Sequence, residues 1–220
     1  MSSELTLYSY WRSSAAYRVR IALGLKGLAY RQVPVHLVKD GGQQHAAEYR
    51  ALNPQELVPL LVDDANGGVR IAQSLAILEY LDEVFPVPAL LPGDPAQRAQ
   101  VRALALHIAC DIHPLNNLRV LQYLSAELGV DDEEKNAWYR HWVEKGLAAV
   151  EQGLSVFEGR LSLGERLGYL EACVIPQLYN ARRFACSLDA FPRLLEMEDR
   201  CLVLDAFKAA EPEAQLDAVV

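Results

Sequence analysis

Apolar and polar residues alternate from Leu5 to Tyr10 ("LTLYSY"), the period of a half-buried β-strand. The period then lengthens, and Ser14 to Lys26 reads as an α-helix closed by Gly27. "YRQVPVHLV" (Tyr30–Val38) predicts a second strand, followed by the turn-prone "KDGGQQ". "VPLLVDD" (Val58–Asp64) and "VRIAQ" (Val69–Gln73) predict two short strands, with "ANGG" between them as a hairpin signal. From Ser74, placed as an N-cap, the apolar residues Ile77, Leu81, Val84 and Phe85 recur at helical spacing.

The order βαβ, then a ββ hairpin and a helix, predicts a small mixed sheet with helices packed on it. "FPVPALLPGDPAQ" (Phe85–Gln97) carries four prolines and a glycine and reads as a linker. Beyond it every strong pattern is helical. Val101, Leu104, Ile108, Ile112 and Leu115 make one apolar stripe, and Trp142, Leu147, Val150 and Leu154 belong to a later one. The expected organisation is an α/β domain over residues 1–85, a linker over 86–96 and an all-α domain over 97–220.

Composition narrows the function. A net charge of −8 argues against nucleic acid or an anionic membrane as the main partner. No apolar run approaches the length that spans a bilayer, and "MSSELTLYSY" lacks the apolar core of a signal peptide. The four cysteines, Cys110, Cys173, Cys186 and Cys201, form no CxxC pair, so neither a disulfide framework nor a metal site is expected. These features fit a cytoplasmic protein.

Three junctions carry candidate chemistry. Arg12-Ser13-Ser14 lies where the first strand turns into the first helix, and such turns present free backbone N–H groups to anions and thiolates. Plain N-capping would account for the serines equally well. Pro59 opens a strand that must hydrogen-bond. A cis Val58–Pro59 bond would turn the Val58 backbone outward, free to pair with an extended peptide-like ligand, whereas a trans proline would mark only an edge. Gln73-Ser74 again combines an amide and a hydroxyl at a helix N-terminus, suited to a carboxylate or to a cap.

Together these junctions resemble the thioredoxin-like N-terminal domain of the glutathione transferases. The chain is most similar to their zeta class, the maleylacetoacetate isomerases and the related bacterial maleylpyruvate isomerases. "RSSAAYRVRIAL" (Arg12–Leu23) is similar to that family's SSCxWRVRIAL signature. "LVKDGGQQ" (Leu37–Gln44), "CDIHPLNN" (Cys110–Asn117), "PQLYNARRF" (Pro176–Phe184) and "LDAFKAAEPEAQLD" (Leu204–Asp217) extend the likeness over almost the whole chain.

The resemblance implies a thioredoxin-like domain followed by an all-helical transferase domain, a homodimer, and glutathione as cofactor. It implies cis–trans isomerisation of a C=C bond conjugated to a ketone, by reversible addition of the glutathione thiolate. Val58, before Pro59, would pair with the cysteinyl backbone of glutathione. Gln73 and Ser74 would hold its γ-glutamyl carboxylate, and Gln44 its glycyl end. Ser13, with Ser14 beside it, would stabilise the thiolate, since a free thiol has a pKa of about 8.5. Arg12, Arg119 and Arg183 would meet the carboxylates of a diketo-acid substrate and its enolate. His113 and Asn117, at i,i+4 on a helix that Pro114 would kink, could hydrogen-bond glutathione or a substrate carboxylate. His36, His45, His107 and His141 have no supporting constellation.

Maleylpyruvate is the nearest alternative substrate, and conjugation of glutathione to α-haloacids is another activity in reach. A non-catalytic binding protein on the same fold is the alternative of a different class, and the intact site residues argue against it. Three departures from the family stand out. Ala15 takes the place of the usual cysteine, which removes the thiol a glutaredoxin-like reaction would need. Gly168-Tyr169-Leu170-Glu171 replaces the Thr/Ser-x-x-Asp capping box of a core helix, a change expected to cost about 1 kcal/mol or less. Near the C-terminus "QLD" replaces "QPD".

Overall fold

The computed structural model describes residues 4–157 and 166–218. Contacts divide the chain into two compact units, Met1–Leu90 with Leu202–Val220, and Leu91–Cys201. The C-terminal segment, expected with the helical region, thus packs on the first unit.

In the first unit, strand β1 (Leu5–Ser9) leads into helix α1 (Ser14–Leu25) and strand β2 (Arg31–Pro34). Helix α2 (Ala47–Leu52), strands β3 (Leu60–Asp63) and β4 (Val69–Ala72), and helix α3 (Ser74–Val84) follow. The sheet order is β2-β1-β3-β4, with β1 parallel to β2 and antiparallel to β3, and β3 antiparallel to β4. This is the mixed sheet the sequence predicts. Leu7, Leu61, Val19, Ile21, Leu23, Ile77, Leu78 and Leu81 are fully buried, and α1 packs against α3.

Strand β2 is shorter than its apolar run because Pro34 has no N–H to continue the ladder, although Val35 N–H still reaches Ser9 O at 2.7 Å. Helix α1 closes as its glycine predicts: Gly27 lies at φ 64°, and Leu28 N–H bonds Leu23 O at 3.0 Å. Ser74, expected as a cap, is instead the first helical residue of α3. Gln73 occupies the cap position at φ 70°, a left-handed conformation that is rare for glutamine.

Buried cations tie this unit together. The Lys26 side chain is fully buried, and its Nζ donates to Asp82 Oδ1 at 2.9 Å, Phe85 O at 2.7 Å and Pro88 O at 2.8 Å. Asp82 also accepts Leu90 N–H at 2.6 Å, so one lysine fixes the end of α3 to the start of the linker. Phe85 to Asp94 form no helix or strand, and Val87–Pro88 is cis. Arg20, 1% exposed, donates to Ser9 Oγ at 3.1 Å, to Trp11 O at 3.0 Å and to Ala210 O at 3.0 Å. Its last partner belongs to the returning tail, whose helix α9 (Asp205–Lys208) packs on α1. Asp217 in the same tail accepts Trp11 N–H at 3.0 Å, which gives the "QLD" segment a structural role its sequence did not reveal.

The second unit is helical: α4 (Pro95–Leu106), α5 (Leu118–Ala126), α6 (Asp132–Gly153), α7 (Tyr169–Arg183) and α8 (Pro192–Leu202). Asp94 caps α4 through Gln97 N–H at 2.9 Å, and Asp131 caps α6 through Glu134 N–H at 2.8 Å. Val101, Ile108, Ile112, Leu147, Val150 and Leu154 are buried as their stripes predict. Gly146 of α6 lies so close to Ile112 that a Cβ there would meet Cγ1 at 2.4 Å.

The continuous kinked helix expected through His113–Asn117 is absent. After α4 the backbone widens into a π-helical turn, His107–Ile112, closed by His113 N–H to Ile108 O at 2.9 Å. Pro114 cannot extend the helix, so the chain turns over 113–116 and Asn117 starts α5 as its N-cap. At the head of α7, Gly168 N–H donates to the Glu171 carboxylate at 2.8 Å. Glycine has no side chain to return the bond, so half of a capping box is present, as expected.

Candidate functional site

The turn between β1 and α1 places Ser13 at the helix cap (φ −71°, ψ 114°), where its Oγ accepts Ala16 N–H at 3.2 Å. That bond uses a lone pair and leaves the single hydroxyl proton available to an outside acceptor, beside N–H groups that no carbonyl of α1 can satisfy. Ser14, buried, is the first helical residue, and Ala15 is half-buried. Arg12 is exposed, with its guanidinium carbon 4.3 Å from the centroid of the Trp11 ring. Among the described residues no carboxylate pairs with it.

Val58–Pro59 is cis. Among the described residues no hydrogen bond is found to the Val58 backbone. The approach to the bend is held from behind: Leu57 O accepts Tyr49 OH at 2.6 Å and Asn53 Nδ2 at 2.8 Å. Burial, chiefly, pushes the Tyr49 hydroxyl up to about 12, so it remains a donor. Val58 also packs in one cluster with Tyr10, Trp11, Val35 and Tyr49, which sets the bend beside the Arg12–Ser13 turn.

At the start of α3, Ser74 is 5% exposed and its Oγ accepts Arg18 Nη1 at 3.2 Å. Gln73 Nε2 donates to Gln55 Oε1 at 2.6 Å. Arg18, itself buried, connects α1 to the first turn of α3, and nothing local in the sequence marks it because its partner lies 56 positions away. Gln44 is buried, with Nε2 at 3.3 Å from Leu37 O and 3.0 Å from His45 Nε2, while its Oε1 has no partner among the described residues. His45 Nδ1 in turn lies 2.6 Å from Glu56 Oε2. That hydrogen bond, ahead of the Arg50 charge, holds the Glu56 carboxyl below its ordinary range. His45 therefore belongs to the surroundings of Gln44. His36 is structural, as expected: its Nδ1 accepts Val38 N–H at 3.2 Å and Lys39 N–H at 2.9 Å, shaping the loop that carries Gln44.

The first unit thus gathers Arg12, Ser13, Ser14, Val58, Pro59, Gln73 and Ser74 around two helix N-termini and a strand bend, with Gln44 on the adjoining loop. In the second unit His113 Nε2 and Asn117 Nδ2 stand 3.5 Å apart, and Asn117 Oδ1 accepts Arg119 N–H at 3.2 Å. Arg119 and Arg183 are exposed, and among the described residues neither has a carboxylate partner. The Arg183 guanidinium lies over Phe184, 5.3 Å from the ring centroid. Chemically, the first unit offers what an anionic peptide with a thiol requires: hydroxyl and backbone donors, an unneutralised arginine and an open stretch of backbone.

All four cysteines belong to the second unit, and the first unit, which holds that turn, has none. None of the four is in a disulfide; burial pushes Cys186 up to about 11 and moves Cys201 in the same direction, while Cys110 is exposed. With a disulfide reagent such as DTNB at pH 8, the folded protein should release one equivalent rapidly, from Cys110. All four thiols should react after denaturation. Fast reaction of two or more in the folded state would contradict this burial.

Comparison with known proteins gives the same assignment. Residues 3–83 match the glutathione S-transferase N-terminal domain. A probable maleylacetoacetate isomerase of Vibrio cholerae is 54% identical over 98% of this chain and 99% of its own length. The holo structure of a bacterial maleylpyruvate isomerase of the zeta class superposes with a TM-score of 0.91 at 42% identity, covering 97% of this chain and all of that one. A maleylacetoacetate isomerase of Methylobacterium extorquens AM1, solved with bound malonate and glutathione, also gives 0.91, at 38% identity over 98% of this chain and all of that one. The chain belongs to the glutathione transferases, in the zeta-class group of maleylacetoacetate and maleylpyruvate isomerases.

Proposed function

We propose that this protein is a glutathione-dependent cis–trans isomerase that converts maleylacetoacetate to fumarylacetoacetate, a step of tyrosine breakdown. The observation that carries the reading is Ser13, whose Oγ accepts the cap bond and keeps its proton for a thiolate, beside an Arg12 that no carboxylate among the described residues neutralises. Glutathione supplies the sulfur, which adds to the alkene and leaves again after the bond has rotated.

The residues fit that cofactor. Val58, whose backbone no described residue engages, pairs with its cysteinyl backbone, and Gln73 and Ser74 receive its γ-glutamyl carboxylate at the N-terminus of α3. Gln44 serves the glycyl end, with His113 and Asn117 as further donors. The Ser13 hydroxyl and the positive end of α1 lower the thiol pKa. Arg12, Arg119 and Arg183 bind the substrate carboxylates and offset the enolate charge. Maleylpyruvate is the second reading, favoured by the 42% identical maleylpyruvate isomerase. We place the protein in the cytoplasm as a homodimer; cysteines that form no disulfide fit a reducing compartment.

The test follows loss of absorbance of each cis substrate with and without glutathione. Glutathione-dependent turnover supports the isomerase, and the ratio of kcat/KM values names the substrate. Intact glutathione binding with no turnover of either would favour a transferase of α-haloacids or a binding protein.

A further inference from the structure

An exposed arginine has a long, flexible stem, and holding its guanidinium in one place for a ligand costs rotamer entropy. A carboxylate partner would hold Arg12 but would also neutralise it. An aromatic face holds a cation through its quadrupole and leaves the charge and the N–H fork open to an anion. Arg12 has the second arrangement, at 4.3 Å from the Trp11 centroid; the stackings of Lys145 on Trp142 and Arg183 on Phe184 are longer, at 5.4 and 5.3 Å.

Trp11 is itself fixed on every side. It is 6% exposed and packs in the cluster of Tyr10, Val35, Tyr49 and Val58, with the Tyr10 ring edge-on at 6.2 Å. Its N–H is held by Asp217 and its carbonyl by Arg20, both at 3.0 Å. Its indole Nε1–H, however, is buried without an acceptor among the described residues, a cost that phenylalanine would avoid. What tryptophan adds at this position is a larger face with a stronger attraction for a cation.

We propose that Trp11 is a positioning residue, a rigid platform that sets the Arg12 guanidinium for a substrate carboxylate. This rests on the reading of Arg12 as a substrate arginine. The test is calorimetric titration of malonate, a small dicarboxylate, into the glutathione-loaded protein, with the wild type, Trp11→Leu, Trp11→Phe, Arg12→Met and the Trp11→Leu/Arg12→Met pair.

Trp11→Leu should weaken malonate binding roughly 3- to 30-fold, the range a cation–π contact provides. Trp11→Phe should lose less and, because it largely keeps the packing against Val58, should hold glutathione affinity within about twofold. In the Arg12→Met background the leucine substitution should add nothing. A purely structural tryptophan would instead show the same malonate loss in both backgrounds, or weaker glutathione binding in Trp11→Phe, and either result would overturn the proposal. Undiminished malonate binding in Trp11→Leu would do the same. If Trp11→Leu does not fold, Trp11→Phe carries the test through the same cycle, and equal losses with and without Arg12 reject the platform. Malonate binding that ignores Arg12→Met rejects both the platform and the substrate arginine, whereas the isomerase assay on the wild type judges the activity separately.

Discussion

Replacing Ser13 by alanine should lower kcat/KM for the isomerisation at pH 7 by on the order of 10²-fold, the scale of losing one donor to a developing or resident anion. Two effects combine. Without the hydroxyl donor the bound thiol moves back toward its free pKa, about 8.5, at which only a few per cent is thiolate at pH 7. The acidic limb of the pH–rate profile should therefore shift upward, and raising the pH should recover part of the loss. The substitution also deletes the cap bond to Ala16 N–H, worth about 1 kcal/mol of stability. Ser13→Gly separates the two, because glycine caps within a few tenths of a kcal/mol of serine but has no hydroxyl. Glycine and alanine should be equally inactive and unequally stable. Full activity with an unmoved pH profile in both would transfer the role to Ser14.

The largest loss of stability is expected from Lys26→Met. Methionine fills the same channel with no N–H to give, and it strands the Phe85 and Pro88 carbonyls and the Asp82 carboxylate, whose side chain is only 12% exposed. Removing one member of a buried ion pair costs about 3–5 kcal/mol. Asp82 keeps Leu90 N–H, which sets the estimate toward the lower end. Urea unfolding monitored by circular dichroism gives the value. Adding Asp82→Asn should restore part of the loss, since the stranded charge is then gone. A change below about 1 kcal/mol would mean the lysine is not bearing the linker.

These two residues also mark how much could be read from the chain. Ser13 was legible because a cap is a local event: a hydroxyl, a change of period and a helix lie within a few residues. The same locality made Gly27 and the strands of the hairpin legible. Lys26 was not, since its three acceptors lie 56 to 62 positions further on, and nothing in "GLKGL" distinguishes a buried ammonium from a solvated one. Arg18 and Arg20 are alike in this, with partners up to 190 positions away. Ser74 shows a subtler limit. The pattern predicts the helix start one residue late because a left-handed glutamine at the cap has no signature in residue type. At His113–Asn117 the proline marked a disturbance, and whether a kink or a π-helical turn resulted depended on packing against α6.

The returning tail also bears on how the protein is made. A ribosome emits Ala210 and Asp217 after every helix of the second unit, yet those residues grip Arg20 and Trp11, which left the tunnel first. The turn that carries Ser13 must therefore stay unclasped while the whole second unit is being made, and a segment made early receives this fastening from one made late.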